Sequence, residues 1–194
     1  MPKLDAHKRY SAFTLLSALP PRELQTPVKI RVPLIYPNMP HDWLVTNALW
    51  DTGATNSVVN INFAKSLNLI PITRAPTFGI GGAQEVDVFT IDILLMETVL
   101  FENWRVSSGE TGIAMPGSVP PGIIIGMDII TKGDATMMSG PKGYYFSFIL
   151  PSTMSPKDFR DEMSRAMTEN KYKQQDKHTR DAYNAKKRES KRRR

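Results

Sequence analysis

Three short stretches carry residue types that could do chemistry, and the first is Asp51-Thr52-Gly53-Ala54-Thr55. A carboxylate followed at once by a hydroxyl and a glycine puts an acid–base group on a turn that can approach another backbone closely. Alone, the tripeptide is as readily a strand-ending turn. The second stretch is Gly79-Ile80-Gly81-Gly82, a glycine cluster suited to a hairpin, and the third is Ile124-Ile125-Gly126, an apolar run ending in glycine. Other chemistries find less support. The chain has no cysteine, which excludes disulfides and thiolate nucleophiles, and its three histidines, His7, His41 and His178, are too scattered for a local metal-ligand pair. No metal site and no cofactor is therefore expected. Gly112 to Ser118 has the glycine spacing of a phosphate loop but a serine where the lysine belongs, and Gly79 to Gln84 lacks the last glycine of a dinucleotide fingerprint.

In this order, the three stretches resemble the retropepsin family, the retroviral-type aspartic proteases, over about residues 25 to 150. The resemblance implies a mainly β fold, a closed β-barrel of the acid-protease kind with short helices. It makes Asp51 the catalytic carboxylate. Thr52 would hydrogen-bond across to an opposing loop, Gly53 would let the backbone approach Asp51 and substrate, and Ala54 would keep the floor narrow. Gly79, Ile80, Gly81 and Gly82 would form a flap over the substrate, and Ile124 would wall a side-chain pocket, so hydrophobic residues are expected beside the scissile bond. Thr55 and Asn56 depart from the acidic residues that many retroviral members carry there, and Glu110 to Pro121 reads as an inserted loop. Met127-Asp128 is similar to retrotransposon and cellular relatives, with Asp128 a helix-start or hydrogen-bonding residue rather than a catalytic one.

Peptide hydrolysis without a metal or a covalent nucleophile needs one carboxylate to take a proton from water and a second, protonated, to polarise the carbonyl. Two carboxylates about 3 Å apart share one proton, because both cannot ionise. This chain has one Asp-Thr-Gly. The expected enzyme, an aspartic endopeptidase with a polypeptide substrate, is therefore a C2 homodimer with Asp51 supplied by each subunit. The alternative from another class is a catalytically weak dimeric peptide- or protein-binding module that keeps the fold.

The elements that must position these residues follow from periodicity and punctuation. Val28 to Ile35 largely alternates apolar and polar residues as a half-buried strand, with Pro33 marking an edge or bend. A strand over about Trp43 to Trp50 runs into Asp51, and Ser57 to Val59 resumes a strand beyond the turn. Ile61 to Leu69 has helical spacing that Pro71 must end. Val86 to Met96 and Val99 to Val106 are β-rich. Ile123 to Ile125 reads as a buried strand, Gly126 opens a helical turn that Gly133 closes, and Ala135 to Met138 with Tyr144 to Leu150 forms a hairpin.

The chain divides into an N-terminal segment (1–24), the protease-like domain (25–150) and a tail (151–194). The net charge is +6, and the tail holds 14 of the 25 Lys+Arg against 7 of the 19 Asp+Glu, leaving the body near neutral. Ser155-Pro156-Lys157-Asp158 has helix-start chemistry, after which Phe159, Met163 and Met167 keep helical spacing before the sequence turns polar. A helical or partly disordered basic tail is expected, with nucleic acid or an acidic surface as its possible partner. No stretch reaches the roughly 20 apolar residues of a membrane span. Tyr10 to Leu19 is too short and mixed for a signal peptide. A cytoplasmic or otherwise intracellular location is expected.

Overall fold

The computed structural model describes residues 9–79, 82–112 and 119–153, and beyond them 163–164, 167–169 and 177. Two compact units divide the chain, Met1–Thr153 and Met154–Arg194. In chain order the first unit contains β1 (Ser11–Ser17), β2 (Gln25–Arg31), β3 (Leu44–Trp50), β4 (Val58–Asn60), α1 (Ile61–Ser66), β5 (Thr73–Gly79), β6 (Gly82–Leu95), β7 (Val99–Gly109), β8 (Ile123–Ile125), α2 (Met127–Ile130), β9 (Asp134–Gly140) and β10 (Gly143–Leu150). In the second unit the described residues are helical. The expected helix start at Ser155 to Asp158 and the polar tail end lie outside the described residues.

Seven strands form one sheet in the order β2-β3-β8-β4-β7-β6-β5, and β2 also pairs with β6, so six of them close into a barrel. The fold is mainly β with short helices, as the sequence leads one to expect. The closing seam pairs Val28 with Leu95 and Arg31 with Asp92. There the Asp92 carboxylate, 2% exposed, accepts from Arg31 Nε at 2.9 Å and from the Asn103 amide at 2.8 Å, while the Arg31 guanidinium covers the Trp43 ring at 4.4 Å. Inside the barrel, Ile30, Ala48, Val59, Ile91, Ile93, Leu95, Val99, Ile123, Ile125 and Ile129 have no exposure or almost none. Alternation along the strands puts these side chains on one face, and burying that face is what drives closure.

Three local outcomes differ from the sequence expectations. Residues 11–17, assigned there to a separate N-terminal segment, form β1 and pair with β10 along its length. Phe13 anchors them against Trp50, Phe146 and Phe148, with ring centroids 5.9 to 6.2 Å apart. α1 stops at Ser66 rather than Leu69, because Asn68 turns left-handed at φ 53°. Thr73 to Gly79, not identified from sequence, is a strand despite Pro76; it lies at the sheet edge, where a residue without an N–H is tolerated.

Candidate active site

β3 ends at Trp50, the chain turns through Asp51 to Ser57, and β4 begins at Val58. β8 inserts between these two strands, parallel to β3 and antiparallel to β4, with Ile124 opposite both Leu49 and Val58. Residues in register share a face. Ala48, Trp50, Val59, Ile123 and Ile125 therefore point into the core, and Leu49, Ile124 and Val58 lie half-buried on the other side. Alternation carried one residue past β3 puts Asp51 on the side of Leu49, away from the core.

The loop is held by its backbone. The Asp51 amide donates to the Ile125 carbonyl at 3.0 Å, and the Ala54 amide returns to the Asp51 carbonyl at 3.2 Å. Gly53 donates its amide to Asp51 Oδ1 at 2.8 Å, which fixes the rotation of the half-buried carboxylate. A Cβ at Gly53 would stand 3.1 Å from that same oxygen, a tight contact that the carboxylate would have to relieve by shifting a few tenths of an ångström. From below, the first amides of α2 reach the loop: Met127 donates to the Ala54 carbonyl at 2.8 Å and Asp128 to the Thr55 carbonyl at 3.1 Å. Gly126 permits this docking, since a Cβ there would meet the Asn56 carbonyl carbon at 2.6 Å and oxygen at 2.7 Å.

Of the residues expected at the site, Asp51, Thr52, Gly53, Ala54 and Ile124 come together here. Thr52 is exposed and Ala54 half-buried. Gly79 and Gly82 face each other as the last described pair of the β5–β6 hairpin, and Ile80 and Gly81 lie outside the described residues. Two exposed ion pairs, Arg74 with Glu85 at 3.5 Å and with Asp87 at 3.4 Å, brace that hairpin. Beside Leu49 opens a cleft lined by Gln25, Asn47, Thr111, Val119 and Pro121. Part of the expected 110–121 loop, residues 113–118, lies outside the described residues. A separate apolar cavity of about 220 Å³ between β1, the β9–β10 hairpin and Leu24 has no carboxylate in its lining.

Asp128 hydrogen-bonds through both carboxylate oxygens, to Ser57 Oγ at 2.7 Å and to Trp104 Nε1 at 3.0 Å. Ser57 and Trp104 were not singled out by sequence. They lie 71 and 24 residues from Asp128, and no motif joins them. Among the described residues no group of three or more His, Asp or Glu converges as a metal site. What the loop offers is one carboxylate on a half-buried residue, held by an amide, on the face of the sheet that carries Leu49. It can accept or donate one proton.

No protein-family model matches the chain, and no curated protein matches it. Among solved structures it is similar to a retropepsin-like aspartic protease from Rickettsia conorii, with a TM-score of 0.45 and 10% identity over 76% of this chain and 99% of that one. It is also similar to the retroviral protease-like domain of Ddi1 from Leishmania major, with a TM-score of 0.34 and 19% identity over 61% of this chain and 82% of that one.

Proposed function

We propose that this chain is a retropepsin-like aspartic endopeptidase that works as a homodimer, with Asp51 of each subunit forming the catalytic pair. The observation that carries the reading is the Asp51 loop itself. Its carboxylate accepts from the Gly53 amide, the loop rests on β8 and α2, and Leu49, two residues before Asp51, lines a cleft. One such carboxylate per chain supports a symmetric dimer, since the second proton-transfer group must be supplied by another copy.

In the proposed reaction, one Asp51 carboxylate removes a proton from water as the oxygen attacks the peptide carbonyl. The other Asp51, protonated, gives its proton to the carbonyl oxygen, and a tetrahedral diol forms. Protonation of the amide nitrogen then lets the C–N bond break, and the pair returns to its shared-proton state. Leu49, Ile124 and Val58 give the floor an apolar character, which supports hydrophobic side chains next to the scissile bond.

The test is cleavage of an unbiased peptide library at mildly acid pH, with and without a statine-type transition-state mimic. Inhibitor-sensitive cleavage by the wild type, abolished in Asp51→Asn, is the expected result. Binding of peptides without turnover would replace the enzyme reading with that of a binding module.

A further inference from the structure

We propose that Asp128 is the positioning residue of the Asp51 loop, acting with Ser57 and Trp104 as its two hydrogen-bond partners. The proposal rests on the reading of Asp51 as the reacting group, and it concerns how that group is held rather than what it does.

The directions of the bonds follow from the donor inventory. The Trp104 indole N–H can only donate, so Asp128 Oδ2 accepts from it at 3.0 Å. Ser57 Oγ accepts from the Gly126 amide at 3.1 Å, and its own proton goes to Asp128 Oδ1 at 2.7 Å. Asp128 thus accepts on both oxygens, which a carboxylate does and an amide does with only one atom. Its backbone N–H meanwhile donates to the Thr55 carbonyl at 3.1 Å. One residue therefore grips the loop at Thr55 through its main chain and at Ser57 through its side chain.

Ser57 is fully buried, with no exposure at all. It sits where the Asp51 loop becomes β4, and its carbonyl accepts from the Ser107 amide of β7 at 3.2 Å. Trp104 also belongs to β7. Its ring packs edge-on against Phe101 at 5.3 Å between centroids and lies under the Lys132 ammonium at 5.8 Å. The barrel wall, the start of α2 and the far end of the loop are linked through the two oxygens of Asp128. A buried hydroxyl already committed to Gly126 would lose its acceptor without that carboxylate, and the loop would lose its outer anchor. Displacements of order 1 Å at a group that must face its twin across a dyad lower rates by about 100-fold.

The experiment compares Asp128→Ala, Asp128→Asn and Trp104→Phe with the wild-type full chain by steady-state kinetics and amide hydrogen exchange. The Gly53 and Ala54 amides, both bonded to Asp51, report the loop, and those of Ile91 and Ile93 report the barrel. Asp128→Ala is expected to lower kcat by about 10- to 100-fold with KM within about twofold, and to speed exchange at Gly53 and Ala54 about tenfold while Ile91 and Ile93 keep their protection. Asp128→Asn, which retains one acceptor, and Trp104→Phe, which removes one donor, fall between Ala and wild type. Unchanged kcat and loop exchange in the folded Asp128→Ala protein overturn the proposal. So does exchange that rises equally in loop and barrel, because Asp128 would then serve the fold at large. If the wild type cleaves nothing, the enzymatic reading fails on its own, and the exchange pattern still decides whether Asp128 holds the loop.

Discussion

In the proposed reading, Asp51 owes its orientation to an amide. The Gly53 N–H bonded to Oδ1 orients the carboxylate, and a side chain at Gly53 would press on the same oxygen at 3.1 Å. Asp51→Asn keeps that shape and removes the proposed base, so kcat/KM is expected to fall by at least about 100-fold, the low end for lost general acid–base catalysis, as read from initial rates of peptide cleavage. Gly126 has less room, since a Cβ there would meet backbone atoms under 3.0 Å away. Gly126→Ala forces its methyl into the Asn56 carbonyl, and the loop must shift; a loss of about 1 to 3 kcal/mol in urea unfolding is expected, with a matching drop in activity. Asp51 and Gly126 were legible in the sequence because each stands in a short local pattern. Ser57 and Trp104 were not, because their roles exist only through a carboxylate distant along the chain.

Among the elements, the short ones are fixed by hydrogen bonds and the long ones by burial. α1 is too short to persist on propensity, and Asn60 caps it by accepting from the Asn62 amide at 2.9 Å and the Phe63 amide at 3.2 Å. Asn60→Ala is expected to destabilise the unit by about 1 kcal/mol, visible as a lowered melting temperature. The seam between β2 and β6 carries a heavier dependence. Arg31→Ala leaves the Asp92 carboxylate buried with only the Asn103 amide as partner, and a loss of about 3 to 5 kcal/mol in denaturant titration is expected there. Strand spacing predicted the central strands well, since alternation survives in any context that buries one face. It missed β5, an edge strand that tolerates Pro76, and overran α1, whose end is set by the left-handed turn at Asn68.

For the molecule as a whole, the closed barrel carries one Asp51 loop, which in the proposed reading is half of a two-carboxylate site. Specific activity is therefore expected to fall when the protein is diluted through its dimer dissociation constant, with analytical ultracentrifugation following the same midpoint. Activity that stays constant per chain down to a demonstrated monomer would remove the dimer from the proposal. Among the described residues no helix is long and apolar enough to cross a membrane. The basic charge lies in the unit that begins at Met154, so a chain ending at Thr153 is expected to retain cleavage activity while losing any salt-sensitive affinity for polyanions.

The sequence by itself determined the succession along the chain of the strands that flank Asp51 and the apolar face each would bury, because these follow from period and composition. Only the tertiary structure decided that β8 would lie between β3 and β4, that Phe13 would bring β1 onto β10, and that Asp128 would bind Ser57 and Trp104. Those outcomes depend on which buried faces and donors meet once the barrel closes. Local pattern says which side of a strand is apolar, and closure alone says what it touches.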